Sequence, residues 1–341
     1  MKAAFLYGPK DLRFKEMEVP VPGPGEVVIK PKVALTCGTD VKQYMRGYPL
    51  LKPPFPFGHE ASGVVLSVGE GVSKFAVGDR VVAHATAPCN TCYYCKKGQH
   101  SMCENFIANQ GAFAEAWKIP KAIVDQNMFK IPDNLPFADA ALLEPLSCAT
   151  YGIEESNIHL GDTVVVNGAG PIGLLFVKLA TLKGAKVIVS DMSEKRLALA
   201  KKLGASEIVN VTKVTDQVKA VIDLTEEKRG VDVAIEAIGL PETWEKTIAM
   251  ARRGGTVLLF GGPPGGTTIT IETQRLHYSQ LTIKGVFNTT PRHVLAAFEL
   301  LKQRVITAAD FVGNEYRLED LEKAILNHKE GNVIKNAILF D

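Results

Sequence analysis

The sequence predicts an α/β protein in two parts: a β-rich, irregular N-terminal part followed by a doubly wound parallel sheet. Three observations carry this. From about residue 160, Val- and Ile-rich runs alternate with helical stretches, the pattern of a parallel sheet covered by helices. Before about residue 150, short apolar runs are cut by turn-forming clusters such as PVPGPGE and KPPFPFG, the pattern of many brief strands. The length of 341 residues suits about two domains at roughly 150 residues each.

In the first part, Val27–Lys30, Gly63–Val68 and Arg80–Ala83 read as strands, and helical periodicity stays weak until about residue 137. Thr163–Asn167 (TVVVN) reads as a buried strand. Pro171–Lys183 then reads as a helix, with proline at an early position where its missing N–H costs nothing. The alternation continues with strand Lys186–Ser190, a charged helix Glu194–Leu203, strand Glu207–Asn210 and a helix near Asp216–Leu224. Strand Val231–Glu236, helix Pro241–Met250 and strand Thr256–Phe260 follow, and Leu281–Val286 extends the sheet edge. A helix over His293–Leu301 and a closing strand Asn332–Phe340 end the chain.

Composition narrows the function. Hydrophobic residues make up 46%, charged residues 22%, and the formal net charge is only +2, which excludes a disordered chain and gives no general pull toward nucleic acid or membrane. No apolar run reaches the roughly 18 residues of a membrane helix. The stretch MKAAFLYGPKDLRFKE turns charged too early for a signal peptide, so a cytoplasmic location is expected.

The run Gly168-Ala169-Gly170-Pro171-Ile172-Gly173 leaves one predicted strand and opens a helix, the context in which GxGxxG binds a dinucleotide. Gly168 allows the tight turn, Gly170 the approach of a pyrophosphate, and Gly173 close helix–strand packing. The helix N-terminus offers N–H groups and a positive dipole to phosphate. Asp191 ends the second strand, 23 residues after Gly168. A carboxylate there accepts ribose hydroxyls and repels a 2′-phosphate, so NAD is expected over NADP. Arg196, one helical turn on, is placed to flank the adenine. Asp191 as a helix cap is compatible with this role.

Six cysteines are too few for a secreted disulfide scaffold. Four of them, Cys89, Cys92, Cys95 and Cys103, fall within fifteen residues, with Pro88, Asn90 and Gly98 supplying turns. Four thiolates fill a tetrahedral zinc shell and leave no open position, so this lobe reads as a structural metal site. Two neighbouring lysines, Lys96 and Lys97, do not make the basic surround of a nucleic-acid knuckle.

Cys37-Gly38-Thr39-Asp40, Gly58-His59-Glu60 and Leu143-Glu144-Pro145 offer a mixed set of sulfur, imidazole and carboxylate donors. Zinc sites of that kind keep a position open and are catalytic. Singly, Cys37 also reads as a core thiol, His59 as a structural residue and Glu144 as a helix cap. Cys148 reads as a buried helix residue, and His84, His100, His159, His277, His293 and His328 have no motif context.

Taken together, GHEASGVVLSVGEGV (58–72), CGTD (37–40), GDRV (78–81), the four-cysteine lobe, LLEPLSC (142–148) and NGAGPIG (167–173) make the chain resemble, over nearly its whole length, the zinc-containing medium-chain dehydrogenase/reductase superfamily. The resemblance implies a GroES-like catalytic domain (1–150 and 288–341, with the zinc lobe at 88–104) and a Rossmann NAD-binding domain (151–287). It implies two zinc ions per chain. The catalytic one is held by Cys37, His59 and a third residue, which in the alcohol dehydrogenase branch is Cys. Glu144 stands there in this chain, as in the polyol, sorbitol and threonine dehydrogenase branch, in which the carboxylate after the histidine, Glu60, also binds metal. Glu60 and Glu144 are therefore both expected at the site. Asp40 matches the carboxylate that orients the metal-bound histidine, and Thr39 the hydroxyl that carries the alcohol proton away. Gly261, with Phe260 and Gly262, and Val286 with Phe287 are implied near the nicotinamide, and Ala237 and Ile238 beside the nucleotide.

The implied reaction is hydride transfer between NAD and a small-molecule polyol, sugar alcohol or secondary alcohol. Many relatives extend the proton relay with a histidine where Lys42 stands here. Sorbitol dehydrogenases place an arginine after the Val-Phe pair, where this chain has Asn288, and a tyrosine where it has Gln43. A polyol therefore ranks first, a simple secondary alcohol or diol second, and L-threonine third. A non-enzymatic NAD-binding protein is the alternative of another class, and it is expected to lose the metal residues that this chain keeps. No nucleic-acid or membrane partner is expected, and the resemblance implies a homo-oligomer, dimer or tetramer.

Overall fold

Nine residues between Val27 and Leu35, nearly all apolar and mostly buried, organise the N-terminal part in the computed structural model, which describes residues 1–47, 51–331 and 333–341. The chain divides into two units, Met1–Ser147 with Thr289–Asp341, and Cys148–Asn288.

In the first unit, strand Val27–Leu35 pairs antiparallel with Ala61–Val68 and Lys335–Leu339, and its first residues also pair with Trp117–Ile119. The sheet runs from Met128–Lys130 through Arg80–Ala83 and Ala61–Val68 to this strand, then through Lys335–Leu339 to Val312–Arg317. A smaller sheet joins Asp11–Glu16, Lys2–Gly8 and Phe55–Pro56. Pro31 lies inside the longest strand, where it has no N–H to give the ladder. The register shifts between Pro31 and Val33. Opposite it, a Cβ on Gly63 would lie 2.1 Å from the Lys30 carbonyl oxygen, so this pairing requires glycine. Val27, Ile29, Phe57, Phe113 and Ile119 are wholly buried in one core with Leu321, Ala324 and Ile325 of helix Leu321–Glu330. Each large apolar side chain buried there contributes about 1.5–3 kcal/mol.

The second unit is a six-stranded sheet. It runs Glu207–Asn210, Lys186–Asp191, Thr163–Asn167, Val231–Glu236, Ala251–Leu259, Thr282–Gly285, every pair parallel. Counted within the unit, the order is 3-2-1-4-5-6, the doubly wound arrangement. The triplets Val164–Val166 and Val187–Val189 have no solvent exposure, as strands covered on both faces require. Helices Pro171–Leu182 and Pro241–Met250 begin with proline, and Ser193 and Asp216 cap Glu194–Lys202 and Gln217–Ile222 through their side chains.

Several elements differ from the sequence expectation. Helices Gly38–Arg46 and Lys121–Gln126 occur where periodicity is weak. The first is capped by a cysteine: the Cys37 sulfur accepts the Thr39 N–H and Asp40 accepts the Cys37 N–H at 2.8 Å. That cap lacks the usual Ser, Thr, Asp or Asn. Strand Ala251–Leu259 starts five residues before Thr256: Ala251 pairs with Val231, and Arg252 Nε donates to Asp232 at 2.6 Å. The closing strand spans Lys335–Leu339, and Asn332 of the expected strand lies outside the described residues. Among the described residues, no helix is long and apolar enough to cross a membrane.

Candidate active site and metal centres

Strand register assembles the mixed donor set. Ala34 pairs with Ala61, and the Leu35 N–H donates to the Glu60 carbonyl at 2.9 Å, so the segment before Ala61 lies beside the segment after Leu35. The Cys37 sulfur, a His59 ring nitrogen and a Glu60 carboxylate oxygen then lie within 4.8 Å of one another. Asp40, fully buried, stands 3.0 Å from His59 Nδ1, which leaves Nε2 for the group's centre. Burial opposes a charge on His59, but Asp40 overcomes it and holds the ring well above its usual range. Burial also pushes the Cys37 thiol up. The Thr39 N–H points to the Cys37 sulfur at 3.4 Å.

Glu144, in helix Leu143–Glu155, is not part of this trio; its carboxylate lies within 4.8 Å of a ring nitrogen of His84. Its negative charge still reaches Glu60. Burial raises Glu60, Lys335 opposes this, and Glu144 reinforces it, leaving the carboxyl above its ordinary range. Lys335 is wholly buried and donates to both Glu60 oxygens at 2.8 and 2.6 Å and to the Thr36 carbonyl at 3.1 Å. Burial works to lower Lys335, and the Glu60 carboxylate outweighs it. Sequence reasoning missed both Lys335 and His84. The only trace of Lys335 is a single cation in the apolar run VIKNAILF. Lys42 is exposed on helix Gly38–Arg46, and Gln43 beside it is buried.

The four-cysteine lobe also closes. The Cys89, Cys92, Cys95 and Cys103 sulfurs lie within 4.8 Å of one another, and none is in a disulfide. Asn90 and Gly98 turn the loop with φ of 59° and 75°. N–H groups of Thr91 and Cys92 donate to the Cys89 sulfur at 3.5 and 3.4 Å, and the Cys89 N–H donates to Cys103 at 3.2 Å. The Thr91 hydroxyl and N–H hold Cys89 down to about 5, whereas burial pushes Cys95 up to about 12. Four sulfurs gathered in one short loop are the donor set of a four-sulfur zinc site. Cys103→Ser is expected to release one equivalent of zinc and to speed proteolytic cleavage within residues 88–104 roughly tenfold, with the remaining chain still folded. Limited proteolysis with mass detection checks this, and unchanged cleavage contradicts it.

In the second unit, the residues expected at the nucleotide follow the carboxyl ends of the strands, where doubly wound sheets bind ligands. Gly168 has φ of 100°, and a Cβ on Gly173 would sit 1.8 Å from the Gly168 carbonyl oxygen. A Cβ on Gly170 would meet nothing within 4 Å, so that turn faces open space, and no side chain caps the helix Pro171–Leu182 that Ile172 helps to begin. Asp191 is 9% exposed and accepts the Ala169 and Ser193 N–H groups, both at 2.8 Å, while Ser193 is the actual cap of the next helix. Each oxygen keeps a lone pair for a ribose hydroxyl. Arg196 has a buried Nε with no protein partner. The Ala237 N–H donates to the Asn167 carbonyl at 2.9 Å, and Glu236 accepts the Ile238 and Gly239 N–H groups at 3.0 and 2.9 Å and the Thr243 hydroxyl at 2.6 Å. A Cβ on Gly261 would lie 2.3 Å from the Gly239 nitrogen, so the two turns touch. The Val286 N–H donates to the Leu259 carbonyl at 3.3 Å, and Phe287 is 56% exposed.

A glycine-rich strand–helix turn and a sulfur–imidazole–carboxylate trio, with His59 and Glu60 buried, in one chain define the class: a zinc-dependent alcohol oxidoreductase. Residues 23–133 match the alcohol dehydrogenase GroES-like domain and residues 171–303 the zinc-binding dehydrogenase family. The chain is 32% identical to the sorbitol dehydrogenase of Bacillus subtilis over 95% of its own length and 92% of that protein's. It is 38% identical to the L-threonine 3-dehydrogenase of Pyrococcus horikoshii over 82% of this chain and 79% of that one. A zinc-binding dehydrogenase of Sinorhizobium meliloti 1021, solved bound to NADP, superposes with a TM-score of 0.92 at 31% identity, covering 99% of each chain. The chain belongs to the zinc-containing medium-chain dehydrogenase/reductase superfamily.

Proposed function

We propose that the chain is an NAD-linked dehydrogenase of a polyol or sugar alcohol. The observation that carries this reading is the convergence of Cys37, His59 and Glu60, with Asp40 fixing the histidine. The first unit is its catalytic domain and the second its NAD-binding domain. Cys37, His59, Glu60 and Glu144 would hold the catalytic zinc, and the four-cysteine lobe would hold the structural one. When bound, zinc supplies Lewis acidity at the substrate hydroxyl and NAD supplies the hydride acceptor.

The chain's own residues perform the remaining work. Asp40 keeps the His59 proton on Nδ1, so that Nε2 stays a donor of electrons. Thr39 takes the hydroxyl proton onward, to the nicotinamide ribose, to Lys42 or to water. Gly168, Gly170 and Gly173 admit the pyrophosphate, Asp191 accepts the ribose hydroxyls and Arg196 flanks the adenine. Ala237, Ile238, Gly261, Val286 and Phe287 position the nicotinamide end. The enzyme is a cytoplasmic homo-oligomer, dimer or tetramer, in this reading.

The likeness to L-threonine 3-dehydrogenase favours threonine as a second reading. A panel of polyols, secondary alcohols, diols and L-threonine with NAD and NADP, followed by nicotinamide absorbance, separates them. Turnover of polyols with NAD is expected; turnover confined to threonine contradicts the first reading. Asp191→Asn is expected to raise KM for NAD roughly tenfold or more, the cost of a lost charged hydrogen bond, and to narrow the preference against NADP. An unchanged KM for NAD contradicts the role given to Asp191.

A further inference from the structure

His84 lies one residue beyond strand Arg80–Ala83, whose Ala83 pairs with Ala61. The register therefore sets His84 beside Glu60, the residue that precedes the neighbouring strand Ala61–Val68, and its N–H is tied to the Asn127 carbonyl at 2.9 Å. The ring has no solvent exposure. Its Nδ1 accepts the Thr86 N–H at 3.0 Å, and Thr86 is in turn held by the Asn127 amide at 2.7 Å. An Nδ1 that accepts leaves the proton of a neutral ring on Nε2. That Nε2 is buried and has no partner. An unpaired buried N–H costs about 1–3 kcal/mol, so its presence calls for an acceptor. A Glu144 carboxylate oxygen lies within 4.8 Å of the ring.

We propose that His84 is a positioning residue for Glu144: its Nε2–H donates to the Glu144 carboxylate and aims that group at the metal centre. The inference rests on Glu144 serving the catalytic zinc, as proposed above. A carboxylate that ligates metal is oriented by such an outer hydrogen bond, and losing it weakens metal binding by about 10–100-fold.

The test uses the full-length holoenzyme and four variants: His84→Leu, which keeps volume without a donor, His84→Gln, which restores an N–H at similar reach, Glu144→Ala, and the double variant His84→Leu/Glu144→Ala. Zinc affinity of the catalytic site is measured by chelator competition, and its geometry by the visible spectrum after exchange of that metal for Co²⁺. The expected result is a loss of affinity of about 10–100-fold and an altered cobalt spectrum in His84→Leu, with His84→Gln within about threefold of the unaltered enzyme. In the Glu144→Ala background, His84→Leu is expected to add nothing. Equal losses with and without Glu144 overturn the proposal, since His84 then acts by itself. No loss in His84→Leu also overturns it. An unaltered enzyme that binds metal only in the cysteine lobe defeats the reading of the site and this inference with it, and the metal count identifies that outcome.

Discussion

Cys37→Ser is expected to lower kcat/KM by more than about 10³-fold, on the order of the several kcal/mol that a metal supplies to the transition state. Serine is the informative replacement. Cys37 caps helix Gly38–Arg46 as well as facing His59 and Glu60, and a serine oxygen caps at least as well as sulfur. The helix is therefore retained while the soft ligand is lost. Steady-state kinetics with the best substrate of the panel, zinc content and NAD binding by fluorescence together read the outcome. The expected pattern is one zinc lost, NAD binding kept and turnover gone. Activity within tenfold of the unaltered enzyme contradicts the assignment of Cys37.

Lys335→Met is expected to destabilise the fold by about 3–5 kcal/mol, the range for removing one partner of a buried ion pair. The reason is geometric: Lys335 and Glu60 are both shielded from water, and Lys335 donates to both Glu60 oxygens. Pairing the change with Glu60→Gln removes the stranded charge, so Lys335→Met/Glu60→Gln is expected to regain a large part of the loss. Denaturant unfolding of the single and double variants measures both. A single variant within about 1 kcal/mol of the unaltered protein contradicts the role of Lys335.

The parallel sheet was legible in the sequence because its central strands, such as Thr163–Asn167 and Lys186–Asp191, are buried and read as Val/Ile runs, each followed by a helix with a proline or polar start. The glycine turn was legible for the same local reason: Gly168 and Gly173 meet steric demands within six residues of each other. The cysteine lobe is likewise a short-range object. What stayed hidden depends on distant partners or unusual caps. Helix Gly38–Arg46 begins on a sulfur cap that resembles no common start signal. The Glu60–Lys335 pair spans 275 positions and is made by sheet pairing alone. That Glu144 groups with His84 and not within the Cys37 trio depends on where helix Leu143–Glu155 falls in the fold, which no spacing rule encodes. His84 looked unremarkable because its significance lies in a strand register.

Zinc analysis of the purified protein, with and without His59→Ala, tests most directly whether a second, reactive metal position exists beside the structural one. About two zinc ions per chain are expected in the unaltered protein and about one in the variant, with the cysteine lobe still filled. One zinc in both, with NAD reduction undiminished by the substitution, would contradict the account.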